Sequence, residues 1–407
     1  MPDLFYPTLL QSSNIKSNSW FDIKGYKNKK RRKKKTTFES NYIDTIKIKL
    51  SPNEKQKEIL KLWLNDCIDV YNHTNTYIKN NINNDKFGKI VNFINIRKNL
   101  KDYLRNICLI NNVNKHTIDY SIKHCVEMYK SAESNKNNNN IKDYEIKDLD
   151  KDRRRKNLVI EPSSVSKKKN AIFIKQLGEM KSSHKLDIIK RNSILQFDRI
   201  KKTYHIIVPI NKSEKININR YSKCGIDIGV RTFLTVYSPE ETYEIGTNTN
   251  KIIDKYNKRL DKIKSNENKM SKEKYERLYY KYSDKLRNKI NDMHNKSASF
   301  LIKKFDTINI GKVSTKKMVS NLKGNLHDIV KRRLMALSHY RFRMKLHTMS
   351  KKYNCNIIEI DEYMTSKKCS KCQNIKGDLK AEKTYECIKC NLKIDRDINA
   401  SINIYKL

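Results

Sequence analysis

A chain of 407 residues has room for two or three cores, and its 88 Lys and Arg against 44 Asp and Glu leave a formal charge of +44. Such an excess repels itself unless a large polyanion neutralises it, so the composition points to nucleic acid. No eighteen apolar residues run together and the start, MPDLFYPTLL, has no basic segment before its apolar residues, which argues against a spanning helix, a secretory signal and a membrane partner. Nine cysteines is an odd number, and the five at Cys67, Cys108, Cys125, Cys224 and Cys355 lie singly in apolar patterns, as small buried hydrophobes do in a reducing compartment.

Residues 1–40 show no sustained period and close in KNKKRRKKK, which predicts a basic disordered arm serving as a nuclear-localisation signal or a phosphate-contacting tail. Residues 42–50 then alternate, with Ile46, Ile48 and Leu50 on one face of a strand. In SPNE, Ser51 is the expected cap, Pro52 suits a first turn and Glu54 completes a capping box; Ile59, Trp63, Cys67 and Val70 follow at helical spacing. Helix continues to about residue 132, and the polar run 134–157 reads as a solvated connection. AIFIKQL, SILQF and TYHIIVPI read as strands, so the helices are inserted into a β domain.

From residue 224 the pattern changes. CGIDIGVRTFLTVY reads as two strands around a turn at Gly229, and TYEIG supplies a third. A long helical stretch over 252–304 carries Tyr275, Leu278, Tyr282, Leu286, Ile290 and Met293 as one packing stripe. FDTINIGKV is a strand, 326–352 a helix, CNIIEID a strand and INASINIYKL a final helix. Hairpin strands followed by strands alternating with helices is an RNase H-like order.

CSKC and CIKC bracket fourteen residues and run into DRDINAS. A double CxxC suits tetrahedral coordination, so Cys369, Cys372, Cys387 and Cys390 are the expected ligands of one structural Zn2+ in a zinc ribbon. With all four sulfurs engaged, a catalytic metal needs oxygen ligands elsewhere. Phosphodiester cleavage by two ions needs clustered carboxylates, with the ions about 4 Å apart. Asp227, inside the apolar GIDIG, is the first: an ionised group there is costly unless paired or metal-bound. The last comes from Asp395 or Asp397 at the start of the final helix; Asp397 is favoured, with Ala400 small enough to let the helix approach the sheet and Asp395 as cap. For the middle acid, Asp306 lies at the wrong end of its strand, whereas Glu359, Asp361 and Glu362 close CNIIEIDEY; Glu362, just past the apolar register, is chosen over a solvated strand terminus.

TIKIKLSPNEKQKEILKLWL, GIDIGVRTFLT, YMTSKKCSKC, the second CxxC and DRDINASINI stand in the order of the TnpB family and its eukaryotic relatives, the Fanzor proteins, which this chain resembles over about residues 42–407. The resemblance implies a multidomain α+β chain: a basic arm over 1–40, a β-barrel wedge domain over 41–51 and 158–222, and a helical recognition domain over 52–157. It further implies a RuvC nuclease domain over 223–368 and 391–407, with the zinc ribbon inserted at 369–390. It also implies a transposon-encoded, RNA-guided DNA endonuclease, with a guide RNA from its own locus, double-stranded target DNA, and Mg2+ held by Asp227, Glu362 and Asp397. A monomer within a ribonucleoprotein is expected, nuclear if the host is eukaryotic or viral and otherwise cytoplasmic. In typical TnpB proteins the middle acid is a glutamate where this chain has Gly311; Fanzor proteins carry a relocated one that matches Glu362. An inactive guide-dependent binder and an RNA-independent transposase or resolvase are the competing readings.

Overall fold

The computed structural model describes residues 13–18, 21–28, 33–82, 87–166, 168–313, 315–319, 326–361, 364–377 and 382–407. Near its start β1 (Ser13–Asn18) pairs antiparallel with β2 (Phe21–Lys27), and β2 pairs in turn along the strand Glu241–Ile245. Phe21 and Ile23 are buried, and the Asp22 carboxylate accepts from the Thr247 hydroxyl. The expected disordered arm is therefore corrected for these residues: FDIKGYK is too short to register as periodicity, and an open sheet edge gives its backbone partners. Within the basic block, residues 29–32 lie outside the described residues, and the Lys33 ammonium sits 5.1 Å from the Tyr221 ring centroid.

Contact density divides the chain into two units, Ile43–Lys212 and Met1–Tyr42 with Ser213–Leu407. The strand β3 (Lys34–Ser51) leads into the first of these, where Ile48 and Leu50 are buried as the alternation predicts. The helix α1 (Glu54–Asn81) follows, but its cap is Asn53 rather than Ser51, and the capping box closes through Gln56 rather than Glu54. The asparagine carbonyl reaches the Gln56 N–H at 2.9 Å while the Gln56 side chain accepts from the Asn53 N–H at 2.9 Å. Four further helices, α2 (Phe87–Ile90), α3 (Phe93–Asn99), α4 (Lys101–Asn111) and α5 (Lys115–Asn137), complete the helical part.

The strands return as β4 (Arg155–Ile160), then α6 (Ile174–Leu177), β5 (Lys181–Ser182), β6 (Ser193–Asp198) and β7 (Thr203–Ile228), with β4, β6 and the start of β7 antiparallel. AIFIKQL is thus not a strand: Phe173 turns into the left-handed region at φ 48° and residues 174–177 form one helical turn. Strands and helices share one core, in which the Trp63 ring meets Phe173 edge-on at 5.2 Å. The expected wedge and recognition segments accordingly fold as one compact unit. Its polar connection is also less solvated than expected, because Asn72 bonds both the N–H and the C=O of Leu149, and Asn75 reaches the Ile146 carbonyl.

In the other unit β7 continues into β8 (Leu234–Tyr237) and β9 (Glu241–Ile245), followed by α7 (Thr249–Lys264), α8 (Lys272–Lys304), β10 (Phe305–Gly311), α9 (Thr315–Val319), α10 (Asp328–Leu337), α11 (His339–Tyr353) and β11 (Asn356–Ile360). The chain closes with the hairpin β12 (Thr384–Glu386) and β13 (Lys393–Asp395) and the helix α12 (Arg396–Lys406). Strand order is β1-β2-β9-β8-β7-β10-β11, with β7, β10 and β11 parallel and the rest antiparallel, an RNase H-like arrangement extended at one edge. Two helices expected to be continuous are broken: α7 ends before the Ser271 cap of α8, and Ser338 at φ 49° separates α10 from α11. Cys224, Ile226 and Ile228 share a core with Leu301 of α8 and with Phe342 and Leu346 of α11. The residues between them on β7 face α12.

Candidate active site and cysteine cluster

Because β7, β10 and β11 run parallel, their carboxyl ends form one edge of the sheet. Asp227 is the penultimate residue of β7, opposite Thr235 of β8. Alternation puts it on the face of Gly225, and that face carries α12: a Cβ on Gly225 would fall 2.3 Å from the Ser401 carbonyl and 2.4 Å from the Tyr405 nitrogen. Glycine is needed here because helix backbone lies directly on strand backbone. Ala400 is buried as expected, but the close approach is made by Gly225. Asn309 of β10, level with Gly225, donates to the Ile404 carbonyl at 3.1 Å and fixes the same helix.

The first turn of α12 carries both acidic candidates. Asp395 is its cap, accepting from the N–H groups of Asp397 and Ile398 at 2.9 and 3.3 Å. Asp397 lies one residue inside. Burial raises its pKa above the ordinary carboxylate value and Asp395 adds to that, while the charges of Arg231, Arg396 and Lys383 oppose it. Arg231 belongs to the turn just beyond the end of β7, and its charge acts on Asp397. A desolvated carboxyl beside a second acid is a setting that a bound divalent cation would stabilise in its charged form.

The middle acid divides differently. Asp306, at the amino end of β10, is held at 2.7 Å by the buried Arg220. Glu359 pairs in register with Ile310, on the α8 and α11 face, and is bound by His347 at 3.1 Å and Arg343 at 3.4 Å. It is occupied on the side away from Asp227. Gly311 ends β10, one residue beyond the Ile310 and Ile226 pair, and so stands level with Asp227 with no side chain to offer. Asp361 directly follows β11, and Glu362 lies outside the described residues.

The four expected sulfur ligands come together. The Sγ atoms of Cys369, Cys372, Cys387 and Cys390 lie within 4.8 Å of one another, with Cys372 to Cys387 at 3.5 Å and Cys369 to Cys390 at 3.6 Å. Tetrahedral Zn–S bonds place sulfurs about 3.8 Å apart, so this donor set fits Zn2+. Knuckle geometry prepares it: Gln373 and Asn391 adopt left-handed φ values of 65° and 55°, which turn the chain after each CxxC. Burial opposes charge on Cys387, yet the N–H groups of Cys390 and Lys389 and the neighbouring thiols outweigh it and bring its pKa down to about 7. Tyr385 of β12 binds the Lys367 and Asn374 carbonyls at 3.1 and 3.4 Å, tying the hairpin to the first knuckle.

Sequence reasoning missed the polar stripe of α12, Asn399, Asn403 and Lys406, whose side chains bond backbone around Cys369. Their spacing of four and three residues was the available signal. Two aromatic side chains of this unit are engaged in packing. Phe233 is core, stacked between His294 and His339, and Tyr221 packs on Phe305 beneath Lys33 and Lys304.

An RNase H-like sheet with Asp227 near its carboxyl edge and a four-cysteine cluster bonded to its last helix match the RuvC-like architecture that the resemblance implies. Comparison with known proteins narrows this. A family model described as "Probable transposase" matches residues 208–322, and one described as "Cas12f1-like, TNB domain" matches residues 339–404. TnpB-like protein L770 of Acanthamoeba polyphaga mimivirus is 36% identical over 396 residues, covering 92% of this chain and 75% of the relative. The chain belongs to the TnpB-like family. The CRISPR-associated endodeoxyribonuclease Cas12f1 of Sulfoacidibacillus thermotolerans is 31% identical over 81 residues, 20% of this chain and 19% of that one. The solved Cas12f1-sgRNA-target DNA complex superposes at a TM-score of 0.36 and 17% identity over 90% of this chain and 100% of that one, too loosely to add to the assignment.

Proposed function

We propose that this chain is an RNA-guided endonuclease that cleaves double-stranded DNA by two-metal phosphodiester hydrolysis. What supports the reading is α12, which carries Asp397 in its first turn, lying backbone to backbone over Gly225 two residues before Asp227, in a family with an endodeoxyribonuclease relative. Asp227, Glu362 and Asp397 would hold two Mg2+ ions, and Cys369, Cys372, Cys387 and Cys390 one Zn2+. Divalent ions bound there supply an activated water and stabilise the leaving oxygen. The chain's residues set the geometry: Asp395 orients the first turn of α12, Gly225 and Asn309 fix its height over the sheet, and the charge of Arg231 favours the ionised form of Asp397. The charge excess suits a guide RNA transcribed from the protein's own locus and a guide–target duplex, in a monomeric ribonucleoprotein. The basic block at 27–35 suits nuclear entry.

Gly311 favours one alternative, a guide-dependent DNA binder that has lost cleavage, because the position level with Asp227 is empty of a carboxylate. The test begins with sequencing the RNA that copurifies with the protein. Guide-programmed plasmid cleavage in Mg2+ is then compared for wild type, Asp227→Ala, Glu362→Ala and Asp397→Ala. Each variant is expected to lose at least about a thousandfold in rate while keeping guide and target binding, which rest on distributed phosphate contacts. A wild type inert in both Mg2+ and Mn2+ would leave the binder reading; protein that carries no RNA would leave an RNA-independent transposase or resolvase.

A further inference from the structure

The helix that carries Asp397 has two anchorages. One is the sheet, through Gly225 and Asn309. The other is the first cysteine knuckle, reached by side chains at positions 399, 403 and 406, one stripe of the helix. Asn399 brackets a zinc ligand: its carbonyl accepts from the Ser370 N–H at 2.9 Å and its amide donates to the Lys368 carbonyl at 2.8 Å, so both peptide groups flanking Cys369 are held by one side chain. Asn403 donates to the same Lys368 carbonyl at 2.7 Å and to the Thr365 carbonyl at 2.8 Å. The Lys406 ammonium donates to the Ser370 carbonyl.

Asn399 is 0% exposed and Asn403 6%. Buried amides of this kind are satisfied only when the knuckle backbone stands where it does, and leaving one unpaired costs about 1–3 kcal/mol. Among the described residues the knuckles and their hairpin share only a small apolar cluster, the cysteines with Tyr385, Leu392 and Ile394, so their conformation depends heavily on what joins the four sulfurs. A two-state element with two anchors passes the state of one to the other.

We infer that Asn399 and Asn403 are positioning residues that couple occupancy of the four-cysteine site to the placement of Asp397, so that Zn2+ governs how well the carboxylate edge binds its divalent ions. The coupling rests on the proposed role of Asp227 and Asp397 as ligands. Filling the four-cysteine site fixes the peptides on both sides of Cys369; these fix Asn399, two residues from Asp397; and the first turn of α12 then holds its carboxylate opposite Asp227.

The test uses the full ribonucleoprotein and counts Mn2+ bound at the carboxylate edge by electron paramagnetic resonance, with Asp227→Ala as background. Removing Zn2+ from wild type is expected to weaken Mn2+ binding about tenfold, the loss of one to two buried hydrogen bonds. In Asn399→Ala, and in the milder Asn403→Ala should the first misfold, Mn2+ binding should already be weak with Zn2+ present and change less than about twofold on its removal. The same variants should release Zn2+ to a chelator about tenfold faster than wild type, a readout that needs no cleavage. Equal weakening by Zn2+ removal in wild type and variants, or unchanged Zn2+ release in both, would overturn the coupling. Mn2+ bound as well by Asp227→Ala as by wild type would instead overturn the carboxylate site, with Zn2+ release still deciding whether the asparagines hold the knuckle.

Discussion

Two helices in this protein are held by opposite means. The 28-residue α1 buries Leu60, Trp63, Leu64, Val70 and Ile78 at 0% exposure, each contributing about 1.5–3 kcal/mol by leaving water. The 11-residue α12 buries Asn399, Ser401 and Asn403 among its few apolar residues and is fixed by hydrogen bonds to a knuckle and by backbone contact over Gly225. Apolar area is non-directional and tolerates small shifts, whereas hydrogen bonds and backbone contact specify position. A scaffold helix needs the first. A helix that must place a carboxylate needs the second.

The largest effect that separates them should come from Gly225→Ala. A methyl group 2.3 Å from the Ser401 carbonyl forces α12 off the sheet, which should destabilise its unit by about 3 kcal/mol and reduce cleavage to background. Leu60→Ala in α1 should cost a comparable 2–5 kcal/mol, yet leave the single-turnover rate of folded complex within about threefold. Denaturation curves paired with single-turnover cleavage decide this; equal rate losses in the two variants would erase the distinction.

Next in size is zinc removal. Chelation, or Cys387→Ser, should abolish amide-exchange protection in residues 364–377 and 384–395 while α1 keeps its own and α12 stays on the sheet, because a structural zinc supplies folding energy only to the segment it ties. Protection lost in α1 as well would mean that the two units unfold together.

Acid should discriminate more gently. His294 and His339 stack on either side of Phe233, and burial lowers their pKa values to about 4 and about 3. Both folded values lie below that of the unfolded chain, so stability is full above about pH 6.5 and is lost as the pH falls through the window down to those values. Roughly 2 kcal/mol per histidine should go between pH 7 and pH 5. Exchange of α8 and α11 amides should therefore quicken on acidification, and His339→Phe should flatten the dependence.

What the sequence made legible follows the same division. The two CxxC pairs were readable because ligand spacing is a local fact, and Ile48, Leu50, Trp63 and Val70 because apolar periodicity records area. Position was not readable. FDIKGYK becomes a strand only because β9 offers it an edge, and AIFIKQL turns helical only after Phe173 takes a left-handed φ. Asn399, Asn403 and Lys406 show a helical spacing, but what they hold is not visible until the knuckle backbone has arrived. Asn53 displaced Ser51 as cap because Gln56 can both return the bond and reach the Leu177 and Glu179 carbonyls.

The smallest expected effect on cleavage tests which acid of CNIIEIDEY belongs to the site. Glu359 shares a residue class and the segment CNIIEIDEY with the favoured Glu362, but its register partner is Ile310, and alternation turns it to the face where Arg343 and His347 wait at 3.4 and 3.1 Å. Its carboxylate is committed to holding α11 against β11. Replacing it by Ala removes the carboxylate from Arg343, which is 5% exposed and keeps the Val313 carbonyl at 3.1 Å and the Tyr340 ring at 5.9 Å, so stability should fall by about 1–2 kcal/mol. Cleavage by the folded complex should stay within about threefold of wild type, with an unchanged Mg2+ half-saturation, because the face that carries α12 is untouched. A rate loss as deep as that of Asp227→Ala would show that the carboxylate edge draws its middle acid from within β11, and the assignment of Glu362 would fall with it.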